Sequence, residues 1–245
     1  GAYCDVHTAI TPWSRVDYDA RLPGAGMMLS QFHAYGQVLH HQQQTWNGPV
    51  YSEGGSHWYY AGLVTGNKSD DRGYNLAHDP WLVDFDLRKL HPLGTSIGLG
   101  KRHSFATEWA GDRAMTADDW DRFFAGTLAF GHVGEFFNWR FGRISSLMVR
   151  SYYMLAALQK RYAANAVETI RYAEAEGRLL TTSAALATGA YRRSQIHLRY
   201  DNGLDVWVNG HTEDAWQTPY ATLCPNGYYA RMPNESLIVS STSRD

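Results

Sequence analysis

The stretch PVYSEGG at residues 49–55 is a short apolar strand pattern that runs into a carboxylate and then breaks at two glycines. A similar pattern occurs earlier, where AYCDVH at residues 2–7 changes from apolar to polar at Asp5. Between them, from Met27 to Trp46, apolar residues recur every three or four positions, which is the spacing of one buried helix face. Strand, helix and strand in this order predict an α/β architecture with parallel strands.

A third strand is predicted for WLVDFD at residues 81–86, which ends in the acidic residues Asp84 and Asp86. Roughly three or four strand–helix units precede residue 165, about half of the eight that a closed barrel needs. Residues 1–165 are therefore expected to form the second half of a (β/α)8-type barrel catalytic domain. The first half would come from sequence that precedes this chain, which makes it an expected partner.

Two longer helices complete this predicted α/β part. One is expected from about Ala117 to Phe130, where Thr116 and Asp119 have the spacing of a capping box. The other is expected from about residue 145 to residue 165. Both fit helices that cover the outside of a barrel.

The pattern changes near residue 166 to short alternating runs separated by turn residues. The runs at residues 193–200 and 204–210 are separated by DNG at residues 201–203, which is typical of a β-hairpin. Further short strands are expected at Tyr220 to Leu223, Gly227 to Met232 and Leu237 to Ser240. Residues 166–245 are therefore expected to form an antiparallel β-sandwich domain.

Composition narrows the range of functions. The 22 basic and 24 acidic residues give a formal net charge of −2, so no general attraction to nucleic acid is expected. No apolar run is long enough to suggest a membrane span. Aromatic residues make up 14% of the chain. Most should lie in the core, but a minority could stack on the C–H faces of sugars, which makes a carbohydrate the expected substrate.

Cofactor motifs are absent from the sequence. The two cysteines and the 11 histidines show no zinc-ligand spacing, and there is no phosphate-binding loop or dinucleotide fingerprint. No cofactor and no catalytic metal are therefore expected. A structural calcium at Asp70-Asp71 or at the Asp84/Asp86 pair remains an alternative, because carboxylates are hard oxygen ligands. No signal peptide is evident, and the compartment stays open.

The candidate catalytic residues are Asp5 and Glu53. Each follows a short strand, and the carboxyl ends of barrel strands form the active face. Glu53 is followed by two glycines and an aromatic run, surroundings that favour a protonated carboxyl and suit a general acid. Asp5 precedes the polar residues His7 and Thr8, which would keep it ionised as a nucleophile. Alternatively, Glu53 lies at a turn beside a core aromatic cluster, and Asp5 caps the next turn.

The expected substrate-binding residues flank these carboxylates or lie at the third predicted strand end. Trp13 and Trp58 would act as stacking platforms, although both could instead be core residues. Asp84 and Asp86 would share one face of their strand, from which one could bind sugar hydroxyls. The complete expected set is His7, Trp13, His57, Trp58, Asp84 and Asp86.

Four stretches resemble the bacterial α-N-acetylgalactosaminidase group, glycoside hydrolase family 129 and its relatives. They are YCDVHTAITPW (3–13), DYDARLPGAG (17–26), GPVYSEGGSHWYYAGLVTGN (48–67) and DFDLRKLHPL (84–93). The resemblance covers roughly residues 1–140 and, more loosely, the β region. It implies a retaining hydrolase of α-linked N-acetylgalactosamine, with a barrel that bears β-sandwich domains. Asp5 matches the nucleophile block and Glu53 the acid/base block.

Other functions remain open at this stage. The chain could be a non-catalytic carbohydrate-binding or scaffold fragment of such an enzyme, whose acidic residues bind sugar hydroxyls. Among enzymes, an inverting hydrolase or a lyase is the next candidate. Inverting enzymes hold their carboxyls about 6.5–9.5 Å apart, whereas retaining ones hold them about 5 Å apart.

Overall fold

The structure, a computed structural model, is a mixed α/β fold described over residues 1–68, 80–87, 100–101, 115–135 and 146–241. The chain divides into two compact units, one of residues 1–71 and 90–99, the other of residues 72–89 and 100–245. No helix in the described ranges is long and apolar enough to cross a membrane.

The first unit contains a three-stranded parallel sheet. Its elements are strand β1 (Ala2–Cys4), helix α1 (Met28–Trp46), strand β2 (Val50–Glu53) and strand β3 (Gly66–Lys68). The sheet order is β1-β2-β3, and both pairings are parallel. The predicted strand–helix–strand order of this region is confirmed.

Helix α1 covers one face of this small sheet. Leu39 is fully buried and packs with Cys4, Val50 and Val64. The helix ends at Asn47, which adopts a left-handed conformation with φ 42° and whose N–H reaches the carbonyls of the last turn. The predicted stop after Trp46 is confirmed.

The second unit begins with short elements and two longer helices. They are helix α2 (Val83–Asp86), strand β4 (Gly100–Lys101), helix α3 (Ala117–Phe130), strand β5 (Gly134–Glu135) and helix α4 (Ser146–Tyr162). Both longer helices lie where the sequence predicts them.

The rest of the second unit is dominated by antiparallel strands. They are β6 (Val167–Ala173), β7 (Leu179–Thr181), β8 (Gln195–Tyr200), β9 (Asp205–Asn209), β10 (Trp216–Gln217), β11 (Thr222–Leu223), β12 (Tyr228–Met232) and β13 (Leu237–Ser241), with helix α5 (Thr182–Thr188) after β7. Six strands form one sheet in the order β13-β12-β9-β8-β6-β7, and β10 pairs with β11 separately. Strands β8 and β9 are antiparallel neighbours joined by residues 201–203, so the predicted hairpin is confirmed.

The two faces of the six-stranded sheet pack against different partners. Side chains such as Leu198 and Val206 join α3 and α4 in the main core, which includes Phe123 and Leu158. Trp207, on the opposite face of β9, packs in a smaller cluster formed with β10, β11 and β6. Helices α3 and α4 therefore belong to the same unit as the antiparallel sheet.

The prediction of a strand at residues 81–86 is wrong, because Val83–Asp86 form one helical turn. The N–H of Leu87 donates to the carbonyl of Val83 at 2.8 Å, and both side chains are buried. An apolar run of this length fits a strand or a helix equally well by periodicity. The shared face predicted for Asp84 and Asp86 depends on that strand, and the side chain of Asp86 lies outside the described part of the structure.

Arg122 of α3 ties the helix to the loops of the sheet. It is fully buried, its Nη1 donates to the carbonyl of Gly210 at 3.3 Å and to Oδ1 of Asn226 at 3.2 Å, and its guanidinium lies 4.9 Å from the ring centroid of Trp81. Buried arginines are stabilised by such multiple hydrogen bonds and by stacking on aromatic rings. This contact holds α2, α3 and the sheet together.

The capping box of α3 generates a stability prediction. Thr116 accepts the N–H of Asp119 at 3.3 Å, and the Asp119 carboxylate accepts the N–H of Thr116 at 2.7 Å. Replacing Thr116 by Ala should lower the free energy of unfolding by about 1 kcal/mol, because the N–H of Asp119 loses its acceptor. Urea denaturation measures the change. Thr116→Ser should retain most of the stability, and an equal loss in both variants would contradict the role of the cap.

Candidate functional site

Asp5 lies directly after strand β1, and Glu53 is the last residue of the neighbouring parallel strand β2. Cys4 is paired with Ser52 in the β1–β2 register, and Asp5 and Glu53 are the residues that follow this pair. Neighbouring strands lie about 4.8 Å apart, and side chains alternate between the two faces. Val50 packs towards α1, so Glu53, three positions later on β2, projects to the face that α1 does not cover. Asp5 lies in the turn after β1. Asp5 is exposed and Glu53 half-buried.

Tyr3 contacts the Glu53 carboxylate from the neighbouring strand. Its hydroxyl donates to Oε2 of Glu53 at 3.0 Å. A hydrogen bond to the charged form of a carboxyl favours that form. The contact also fixes the position of the Glu53 side chain on the uncovered face of the sheet.

A buried polar network, formed by Thr8, Ser52 and Asn67, lies beneath the two carboxylates. Ser52 donates its hydroxyl to the carbonyl of Cys4 at 2.7 Å and accepts the N–H of Thr8 at 3.1 Å. The Thr8 hydroxyl lies 3.0 Å from the carbonyl of Glu53 and also contacts Oδ1 of Asn67. All three network residues are fully buried. The network therefore fixes the chain after β1 against the ends of β2 and β3.

Gly54 lets the turn after Glu53 pass close to this network. It has φ +126°, and its carbonyl accepts Nδ2 of Asn67 at 3.2 Å. A Cβ added at Gly54 would lie 2.2 Å from Cβ of Ala9. Neither the backbone conformation nor the space at this position admits a side chain. Gly55 has nothing within 4 Å of an added Cβ.

His7 lies against helix α1. Its ring centroid is 4.1 Å from that of Tyr35, with an angle of 31° between the planes. Burial lowers the pKa of His7 from its ordinary value, a backbone hydrogen bond at Tyr35 opposes this, and Arg15 lowers it further. The imidazole is therefore neutral near pH 7, and it packs against α1.

An aromatic cluster continues from His7 under the loop after β1. Tyr60 is buried, its hydroxyl donates to the carbonyl of Ile10 at 2.7 Å, and its ring lies 6.0 Å from Phe32 and 6.2 Å from Tyr35. Burial, and to a lesser degree Tyr35, raises the pKa of Tyr60 to about 12. Tyr60 is therefore a neutral hydrogen-bond donor that anchors the loop.

Trp13 and Tyr59 form an exposed aromatic pair in the first unit. Their exposed fractions are 52% and 38%, and the rings meet edge to face with centroids 5.2 Å apart. Trp13 is therefore not a core residue. His57 and Trp58 belong to the short 3-10 helix His57–Tyr60, and their side chains lie outside the described part of the structure.

The remaining predicted site residues belong to the second unit. Asp84 is half-buried on α2, and the side chain of Asp86 lies outside the described part. Asp70 and Asp71, the first alternative for a calcium ion, lie outside the described part of the structure. Among the side chains that the structure describes, no group of three or more His, Cys, Asp or Glu converges as a metal site would require.

The chain matches no protein-family model and no curated protein sequence. A functional proposal therefore depends on the geometry of the site and on the residue patterns of the sequence.

The sequence alone does not identify three residues of this region, which are Tyr3, Ser52 and Asn67. Tyr3 is an exposed strand residue, and only the parallel register shows that it reaches Glu53. Ser52 lies within the predicted strand, and a single Ser in a strand does not indicate a functional or structural role. Asn67 belongs to β3, whose three residues Gly66-Asn67-Lys68 lack the apolar character of a strand.

The two glycines after Glu53 provide a matched pair of variants. Gly54→Ala should lower the free energy of unfolding by about 2–4 kcal/mol, because it combines a clash with a backbone conformation that a side chain rarely adopts. Gly55→Ala should change it by about 0.5 kcal/mol or less. Chemical denaturation of both variants, followed by tryptophan fluorescence, measures the difference. Equal stabilities would show that Ala9 does not lie against Gly54.

Proposed function

We propose that this chain is part of a retaining glycoside hydrolase that cleaves α-linked N-acetylgalactosamine-type sugars, with Asp5 as nucleophile and Glu53 as general acid/base. The observation that carries the proposal is the register of β1 and β2, in which Cys4 pairs with Ser52 immediately before Asp5 and Glu53. The spacing of adjacent strands, about 4.8 Å, is close to the carboxyl separation of about 5–5.5 Å that retaining enzymes use. The choice of sugar rests on the resemblance of the sequence.

The proposal includes the fold. Strands β1–β3 with helix α1 would be consecutive parts of a (β/α)8 barrel, whose helices cover the outside and whose inner face bears the catalytic residues at the strand ends. Glu53 lies on the side of the sheet away from α1, as an inner-face residue would. The two faces of the second unit's sheet, one of which packs on β10 and β11, are compatible with a sandwich-like β domain.

In the proposed reaction, Asp5 attacks the anomeric carbon while Glu53 protonates the leaving glycosidic oxygen. This gives a covalent glycosyl-enzyme with inverted configuration. Glu53, now ionised, takes a proton from water, which attacks the same carbon. The bond between that carbon and Asp5 breaks, Asp5 leaves as a carboxylate, and the original configuration is restored. The buried network of Thr8, Ser52 and Asn67 holds both strand ends in place through these two steps.

The exposed pair of Trp13 and Tyr59 is proposed to stack on a sugar ring, because a sugar presents apolar C–H groups to a flat aromatic face. His57 and Trp58 remain predicted substrate contacts, because they follow Gly55 by two and three residues. His7 contributes as a neutral packing residue on α1 that holds the loop between Asp5 and Trp13.

The second candidate function is non-catalytic carbohydrate binding by the same residues. The Tyr3–Glu53 hydrogen bond favours this alternative, because an ionised carboxylate that accepts sugar hydroxyls needs no proton of its own.

Release of nitrophenol distinguishes the two functions. Release of nitrophenol from a panel of nitrophenyl α- and β-glycosides supports hydrolysis. Binding of the same sugars without release, by this chain and by a longer chain that carries the expected first half of the barrel, supports the alternative.

Substitution of the two carboxylates separates their roles. Asp5→Ala should abolish turnover of every substrate, because no covalent intermediate can form. Glu53→Ala should lower turnover of substrates with poor leaving groups by about 10²–10⁴-fold and spare the first step for activated aryl glycosides. Added azide should yield a glycosyl azide of retained configuration from the Glu53 variant. Equal losses on good and poor leaving groups, without azide product, would remove Glu53 from the acid/base role.

Tyr3→Phe tests whether the Tyr3 hydroxyl positions Glu53. The variant loses the hydrogen bond to Oε2 of Glu53. Because the Glu53 side chain then loses its partner on β1, kcat/KM on substrates with poor leaving groups should fall by about 3–10-fold. Tyr18→Phe is the control, since Tyr18 is 82% exposed, and equal kcat/KM values for both variants would exclude a role for Tyr3.

A further inference from the structure

The six-stranded sheet bears a cluster of cationic and aromatic side chains on the face that turns away from helices α3 and α4. Trp207 of β9 marks this face, because it packs outside the main core. Alternate residues of a strand share a face, and so do residues paired across neighbouring strands. Two rows of paired residues therefore lie on the same side as Trp207. The first row is Arg171, His197, Trp207 and Tyr229, and the second is Thr169, Arg199, Asp205 and Arg231. Together the two rows form the arginine face of the sheet.

The hairpin of β10 and β11 covers one end of the arginine face and places Tyr220 beside it. Its strands pack in one cluster with Trp207. In the turn between them, the Thr218 hydroxyl donates to the carbonyl of Ala221 at 2.7 Å and accepts the N–H of Tyr220 at 3.3 Å. The turn is therefore fixed by a local hydrogen-bond pattern, although 47% of Tyr220 is exposed.

Tyr220 and Arg231 form a pair on the arginine face. The guanidinium of Arg231 lies 4.3 Å from the centroid of the Tyr220 ring. The same ring stacks with Tyr229, with centroids 5.4 Å apart and an angle of 9° between the planes. A guanidinium that stacks on an aromatic ring keeps its N–H donors, which lie in its own plane and match a carboxylate in a bidentate manner. The pair therefore presents a positioned cation beside a positioned, exposed aromatic ring.

Two of the three arginines on the arginine face have no acidic partner. Arg199 pairs with Glu168, with Nε and Oε2 3.2 Å apart, and its Nη1 lies 3.9 Å from Oδ1 of Asp205. Among the residues that the structure describes, Arg171 and Arg231 form no ion pair. Unpaired cations on one surface attract anions. The arginine face is therefore complementary to an anionic ligand.

His197 and Asp205 limit which anions fit. Nε2 of His197 lies 3.2 Å from Oδ1 of Asp205. Burial lowers the pKa of His197 and Asp205 opposes this, so the imidazole adds little positive charge near pH 7. The Asp205 carboxylate stays between Arg199 and Arg231, which lie about 10 Å apart across two strand spacings. An anion with widely spaced charges avoids Asp205, whereas a closely spaced polyanion is repelled by it.

We propose that the arginine face binds hexuronic acid residues of an acidic polysaccharide. The carboxylate of one residue accepts hydrogen bonds from Arg231, and the C–H face of its ring stacks on Tyr220. A hexuronic acid suits this pair because it combines a carboxylate with an apolar ring face. Arg171, three strands away at about 14 Å, attracts a further carboxylate of the same chain. A single-stranded nucleic acid suits the face less well, since it carries a charge on every nucleotide and meets Asp205.

A titration of the ¹⁵N-labelled chain, followed by amide NMR shifts, tests the site. The probes are a tetramer of galacturonic acid, the neutral methyl ester of the same tetramer, inorganic phosphate and an octamer of thymidylate. The acidic tetramer should shift the amides of residues 197–207 and 218–231 saturably, with a Kd of about 0.1–1 mM. The ester lacks the charge and phosphate lacks the ring, so each should bind about tenfold more weakly or less. Raising NaCl from about 50 mM to about 500 mM should weaken the tetramer, because salt screens exposed charges.

Three results would overturn the proposal. The first is the absence of saturable shifts at about 10 mM tetramer, well above the expected Kd. The second is equal binding of the ester or of phosphate, which would show that the carboxylate and the ring are not recognised together. The third is tighter binding of the thymidylate octamer than of the acidic tetramer.

Variants of the Tyr220–Arg231 pair locate the site. Arg231→Gln and Tyr220→Ala should each raise the Kd of the tetramer by about 5–10-fold, because each removes one of the two paired contacts. Tyr220→Phe keeps the ring and should bind as the unchanged chain does. Arg192→Gln and Tyr153→Ala are matched controls. Arg192 is exposed and lies over the ring of Tyr191 outside the sheet, and Tyr153 is 69% exposed on α4. Unchanged urea midpoints show that the variants fold, and an unchanged Kd for both Arg231→Gln and Tyr220→Ala sinks the proposal.

The same titration of Glu53→Ala separates this site from the proposed hydrolysis. Every contact of the arginine face lies in the second unit, so this variant should bind the tetramer with an unchanged Kd. Hydrolysis of nitrophenyl glycosides without binding of the tetramer overturns the arginine face and leaves the proposed function standing. Binding without hydrolysis supports the arginine face and counts against the proposed function.

Discussion

The hydroxyl of Ser52 donates to the carbonyl of Cys4 and accepts the N–H of Thr8, and both contacts are buried. A single side chain thus satisfies two backbone groups of another segment, which would otherwise be desolvated at a cost of about 1–3 kcal/mol each. Because these two groups lie on either side of Asp5, the position of Asp5 depends on Ser52. The Asn67 side chain satisfies one backbone group of the turn after Glu53, because its Nδ2 donates to the carbonyl of Gly54.

The two units achieve stability by different means. In the second unit, α3 and α4 bury a broad apolar surface on the six-stranded sheet, and burial of this kind contributes about 25 cal/mol per Å2. In the first unit, the apolar cluster around Leu39 is small, and buried hydrogen bonds connect the strand ends. Polar networks fix geometry more narrowly than apolar contacts do, because they lose their stabilisation when one partner moves. A site that must hold two carboxylates in register benefits from this property.

The sequence predicts elements well where one local pattern is sufficient. Helix α1 has a sustained apolar period and α3 a capping box, and the β8–β9 hairpin has a DNG turn. Prediction from sequence fails where the apolar run is short or absent. Residues 81–86 fit both the helical and the strand periodicity, and β3 has no apolar residue. In the site, the positions of Asp5 and Glu53 on strand ends follow from sequence. The contacts from Tyr3 and Asn67 do not, because they depend on the pairing of strands distant in the chain.

The surroundings of the two carboxyl groups differ in a way that bears on their proposed roles. Asp5 is exposed and lies in the turn after β1, whereas Glu53 is half-buried and accepts the Tyr3 hydroxyl at 3.0 Å. The Tyr3 contact restricts the Glu53 side chain, and the two hydrogen bonds of Ser52 restrict the backbone on either side of Asp5. A retaining mechanism needs both carboxyl groups at one carbon through two successive steps. The contacts of the first unit therefore suit the proposed mechanism because they limit the movement of both groups.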